Sequence, residues 1–145
     1  MKKFLLMLAI LVSTVSAFAS DKIVDPKVLE SFNSDFSAAK EVNWSRGENF
    51  FKAEFVFNGQ HVNAFYNTDG DLLGLTRNIS STDLPLNLQN ALKKSYADFW
   101  ISDLFEVTKS DSTGYYITLE NADSVIILKA TPEDDWSVYK KVKKV

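Results

Sequence analysis

The chain has 145 residues with 19 acidic and 16 basic side chains, one histidine and no cysteine. The missing cysteines exclude disulfides, thiolate metal sites and a lipid-modified N-terminal cysteine. Mild acidity argues against nucleic acid and against adsorption on anionic membranes, both of which need clustered Lys and Arg.

Lys2 and Lys3, the apolar run Phe4 to Val12 and the closing Ala17-Phe18-Ala19 have the layout of a secretory signal peptide cleaved after Ala19. The apolar run is shorter than the roughly 20 residues that span a bilayer. The chain is therefore expected to be periplasmic or secreted, with signal residues 1–19, a single domain over 20–145 and no stable membrane insertion after cleavage. Losing Lys2 and Lys3 leaves 14 basic against 19 acidic residues.

Pro26 opens a helical pattern in which Val28, Leu29, Phe32 and Phe36 share a face, with Asp25 as N-cap. The period then drops to two. Val42 and Trp44 alternate with polar neighbours, the SRGEN turn follows, and Phe51, Ala53, Phe55 and Phe57 alternate with Phe50, Lys52, Glu54 and Val56. Asn58-Gly59 predicts a two-residue hairpin, since both turn positions need positive φ. NTDG (67–70) marks another turn, and LLGLTRNI (72–79) reads as a fourth strand.

Asp83 is expected to cap a second helix with the apolar face Leu88, Ala91, Leu92 and Tyr96. Strand patterns return at LFEVTKS (104–110), YYITLE (115–120), SVIILKA (124–130) and WSVYKKVKKV (136–145). The order is helix, four strands, helix, four strands, which suggests tandem repeats over about 25–80 and 83–145. One antiparallel sheet with two unrelated helices produces a similar pattern.

These motifs combine as A-x-x-V-x-W (Ala39, Val42, Trp44), an Asn-Gly hairpin, Y-x-x-x-G-x-L (Tyr66, Gly70, Leu72), Arg77 and Ile79, Leu84-Pro85, and a helix ending in Tyr96. The arrangement resembles the PepSY-like proteins, small exported bacterial proteins also likened to the β-lactamase-inhibitor protein. Ser37-Ala38 stands where the family's usual Pro precedes the first Ala-Val-Trp segment. The resemblance implies an α+β fold of two tandem helix-plus-four-stranded antiparallel repeats, with the helices on one face of the sheet and the other face open. It implies little about activity, because fold does not fix function.

A tight turn at Asn58-Gly59 sets Val56 opposite His61, Glu54 opposite Asn63 and Lys52 opposite Phe65 on one face. Phe55 with Val62, Ala53 with Ala64 and Phe51 with Tyr66 share the other, which suits a core. In the second half Tyr115, Ile117 and Leu119 point inward while Tyr116, Thr118 and Glu120 point outward, with Ile126, Leu128 and Tyr139 placed provisionally outward. Rings interleaved with charges suit a protein-binding surface, so Phe50, Lys52, Glu54, Phe65 and Tyr116 are the expected contacts with another envelope protein. On that reading alanine at Phe50 or Phe65 weakens binding while stability stays within about 1 kcal/mol. Plain strand preference and a homodimer covering the face are the alternatives.

Chemistry is sparse. His61 has no second His or any Cys to complete a metal site, and no G-x-S-x-G accompanies it, so no catalytic residue, metal or cofactor is expected. NTDGD lacks EF-hand spacing and reads as a turn. KKVKK (140–144) suits either an edge strand guarded by lysines or contact with an acidic partner. A small-ligand carrier with a pocket between helices and sheet needs convergent polar groups that the sequence does not display.

Overall fold

A computed structural model describes residues 24–145, so the proposed signal peptide, residues 1–19, lies outside the described residues. The elements are α1 (Pro26–Asp35), β1 (Lys40–Arg46), β2 (Phe51–Phe57), β3 (Gln60–Tyr66) and β4 (Leu72–Asn78). A 3-10 turn (Ser81–Asp83), α2 (Leu86–Ser95), β5 (Trp100–Lys109), β6 (Ser112–Glu120), β7 (Ser124–Ala130) and β8 (Ser137–Lys143) complete the chain. Among the described residues no helix is long and apolar enough to cross a membrane.

The expected tandem helix-plus-four-strand repeats are not what the chain builds. Among the described residues the eight strands form one sheet in the order β1 to β8, accompanied by two ten-residue helices. The chain divides after Leu73, inside β4. From Leu75 to Asn78, β4 pairs antiparallel with Thr108 to Phe105 of β5, so the fourth strand goes with the second unit. An alternating pattern identifies a strand, but its partner is set by a ladder to residues some thirty positions away, which periodicity does not encode.

In the first unit, the Asp25 carboxylate accepts the Lys27 backbone N–H at 2.9 Å and caps α1, with Pro26 in the first turn. The Phe36 N–H closes the helix on the Phe32 carbonyl at 2.8 Å. Val28 and Phe32 are buried, and Phe32 meets Trp44, Phe55 and Tyr66 edge-on. The Tyr66 hydroxyl donates to Asp35 Oδ2 at 2.9 Å. Burial and this carboxylate both push the Tyr66 pKa far up, burial being the larger cause.

Asn58 and Gly59 have φ of 50° and 77°, and the β2–β3 register runs from Phe51↔Tyr66 to Phe57↔Gln60, as the hairpin signal predicts. Gly70, at φ 90°, faces α1 so closely that a Cβ there would lie 3.0 Å from both the Lys27 carbonyl oxygen and Ser31 Oγ. Gly70→Ala therefore combines backbone strain with a push against the helix, and should lower stability by about 1–3 kcal/mol in urea titrations. Gly59→Ala meets nothing within 4 Å and should cost only the backbone strain, about 1 kcal/mol. Equal losses at the two sites would contradict this account.

The second unit has an aliphatic core. Leu84, Leu88 and Leu92 pack on Leu104, Ile117, Leu119, Ile126 and Leu128. Ile126 and Leu128, provisionally placed outward from sequence, are thus inward, because they stand opposite Leu119 and Ile117. Asp83 does not cap α2. Its Oδ2 accepts the Ser80 N–H at 2.8 Å and closes the 3-10 turn, which lowers its pKa, while Pro85 occupies the N-cap of α2 without a side-chain bond. The Trp136 indole N–H donates to the Leu88 carbonyl at 3.0 Å and ties the start of β8 to the helix.

Candidate binding surface

In the first unit, Lys52, Glu54, Val56, His61, Asn63 and Phe65 occupy the sheet face opposite α1, by alternation from the buried Phe51, Ala53 and Phe55. Phe50 and Phe65 lie 5.9 Å apart, centroid to centroid. The SRGEN turn puts them together: the Gly47 N–H donates to the Phe50 carbonyl at 2.9 Å, and the Phe50 ring fills the space that a side chain at 47 would need. Lys52 stands opposite Phe65 and turns its ammonium to Glu54 Oε1 at 2.8 Å. His61 is exposed beside the hairpin turn.

The proposed contact residues divide by burial. Phe50, Phe65 and Tyr116 are only 8, 6 and 4% exposed, so they offer little area to a partner. Lys52 is half-buried and Glu54 exposed. Phe50, Lys52, Glu54 and Phe65 share the face of the first unit, whereas Tyr116 belongs to the second.

In the second unit Tyr116 stands between Phe105 and Lys129 on the face opposite α2. Its ring stacks on Phe105 at 5.5 Å and 13°, and meets Tyr139 edge-on at 5.9 Å. Lys129 Nζ sits 5.8 Å from the Tyr139 centroid, a cation–π contact. Phe105, Tyr139 and Ile127 are half-buried, and Lys129 is exposed. Phe105 was legible from sequence, since Leu104 points inward and its neighbour in an alternating strand must point outward. Lys129 was not, because the run SVIILKA does not alternate.

Burial, and to a lesser extent Tyr139, push the Tyr116 pKa up to about 12. An unfolded tyrosine releases its proton near 10. Folded Tyr116 holds its proton longer, so this contribution to stability is complete below about pH 10 and is lost as pH rises through about 12. Unfolding followed by circular dichroism should show stability falling across that window. Tyr116→Phe should make the fall shallower; an unchanged slope would contradict the assignment.

Other sequence candidates are structural. Asn67 Oδ1 accepts the backbone N–H groups of Asp69 and Asp71, each at 2.9 Å, and its Nδ2 donates to Asp71, so NTDGD is a self-bonded turn. Arg77 pairs with Glu106 at 2.8 Å. Along the C-terminal end of α2 an open groove of about 220 Å³ is lined by Leu92, Lys93, Tyr96, Phe99 and Ile101. Gln89 also borders it, but its amide donates to the Leu84 carbonyl at 2.8 Å.

No family model matches the chain, and no curated protein does. Solved structures do. A DUF2874 family protein from Bacteroides ovatus is 21% identical, with a TM-score of 0.73 over 83% of this chain and 87% of that one. A Bacteroides eggerthii protein, provisionally described as periplasmic, is 16% identical, with a TM-score of 0.74 over 83% and 88%. A BLIP-like protein from Bacteroides fragilis is 14% identical, with a TM-score of 0.71 over 83% and 86%. At these identities the likeness is one of fold, and the chain has the BLIP-like fold.

Proposed function

We propose that the chain is an exported, PepSY-like, non-enzymatic binding module that acts in the periplasm and uses the sheet face opposite its helices to hold another envelope protein. The observation that carries this reading is the Phe105–Tyr116–Tyr139 cluster with Lys129 over it. Aromatic rings on a face that the unit's own helix leaves open are among the side chains that dominate protein interfaces. The described neighbours, one provisionally periplasmic and one BLIP-like, support the same reading. Within it, the buried Tyr116 holds that face of the second unit in shape while Phe105 and Tyr139 touch the partner; the buried Phe50 and Phe65 hold the first unit's own face, which Lys52 and Glu54 border.

Affinity capture with residues 20–145 from the producing cell's periplasmic extract tests this, with light scattering on the purified protein alongside. Wild type should retain a partner that the double variant Phe105→Ala/Tyr139→Ala loses. A stable dimer that captures nothing would assign the face to self-association, and a monomer that captures nothing would overturn the reading.

A further inference from the structure

We propose that β8 is a docking edge for an extended acidic segment of another protein. Within its unit β8 pairs only with β7, so a row of its backbone N–H and C=O groups faces outward. Lys140, Lys141 and Lys143 stand along this edge, in a chain whose acidic residues outnumber its basic ones. Lys140 is opposite Ile127 and Lys141 opposite Ile126, so the ammonium groups flank both faces of the edge.

Lysines alone would be explained by protection against stray pairing. The valines between them are not. Val138 and Val142 are 59% and 48% exposed, apolar positions that a merely guarded edge has no use for. Beside the strand end, an open groove of about 460 Å³ is lined by Asp123, Ser124, Lys141, Lys143 and Lys144. Lys144 is already engaged, 2.9 Å from Glu120 and 4.9 Å from the Trp100 ring centroid, and its backbone N–H donates to the Asp123 carbonyl. These contacts hold the end of the strand in place beside the groove.

Charge selects the occupant. A second copy adding its own β8 would bring lysines against lysines. An acidic extended segment meets complementary charge, apolar contacts at the valines and a row of backbone groups to pair with. This surface differs from the ring-bearing face, and a purified two-component assay tests it without any captured partner, so either proposal can fail alone.

The probe is a labelled decapeptide of Glu and Val, titrated by fluorescence anisotropy into residues 20–145. It should bind, weaken as salt rises, and lose about tenfold in affinity to Lys140→Glu/Lys141→Glu/Lys143→Glu. The milder Lys→Gln triple variant should lose less, and melting temperatures should confirm that both variants fold. A version of the peptide N-methylated at every residue, unable to donate backbone hydrogen bonds, should bind about tenfold more weakly. Slowed amide exchange at Lys141 to Lys143 would place it on β8. No binding, equal binding of the N-methylated peptide, or equal binding of polyphosphate of matched charge would each overturn the proposal, the last two by reducing it to polyanion adsorption.

Discussion

Phe32→Ala is expected to lower stability by about 3–5 kcal/mol, the range for removing a buried aromatic ring. Phe32 is the hub of the first unit's core. Its ring lies 5.0 Å from Phe55 and 5.1 Å from Trp44, both edge-on, with Phe36 at 5.6 Å and Tyr66 at 6.4 Å. Edge-to-face geometry adds to simple burial, and close-packed rings around a vacated site cannot collapse to fill it. Against the 5–15 kcal/mol that holds a typical domain together, such a loss leaves little in reserve. Asn33→Ala, on the exposed side of the same helix, should stay within about 0.5 kcal/mol. Urea midpoints for the two variants settle it; a Phe32→Ala loss below about 1 kcal/mol would mean that the rings do not act as one cluster.

Phe65→Ala should cost about 2–4 kcal/mol, although it lies on the face away from α1. Sequence alone made this ring a surface contact whose removal leaves stability nearly untouched. In the structure Phe50 folds back over Gly47 onto Phe65, and both rings are buried. Glu54→Ala, on the same face, breaks only an exposed pair with Lys52 and should change stability by about 0–1 kcal/mol. Thermal melts of the two variants test the contrast. A stable Phe65→Ala would return the ring to the list of direct contacts. A destabilised one means that binding losses in this variant report damage to the face, and that Glu54, Phe105 and Tyr139 are the cleaner probes.

Local features were the legible ones. Asp25 and Pro26 announce α1, and Asn58-Gly59 fixes both the turn and every pairing of β2 with β3, because a two-residue turn leaves no freedom of register. What depends on distant partners was not legible. The pairing of β4 with β5 is one case. Another is β7, where Val125, Ile126, Ile127 and Leu128 are all apolar, and inward and outward sides follow only from the ladder to β6. Asp83 carries a cap signal, but a carboxylate two residues ahead of Pro85 closes the turn before the helix instead. At the candidate surface, sequence put Lys52, Glu54 and Phe65 on one face correctly. It could not show how deeply Phe50, Phe65 and Tyr116 sink, since that depends on Gly47 making room and on Phe105 and Tyr139 closing in.

The three tryptophans give the molecule its own set of dyes. Trp44 is enclosed by Phe32 and Tyr66, and Trp136 is half-buried with its indole N–H on the Leu88 carbonyl, so both should emit toward the blue. Trp100 is 53% exposed and should emit toward the red. Its exposure alone singles it out, so a neutral quencher such as acrylamide should extinguish the red component first. A ligand settling over the end of β8 would shield Trp100 and shift that colour without any label. Melting of the aromatic core would instead be read in the blue light of Trp44.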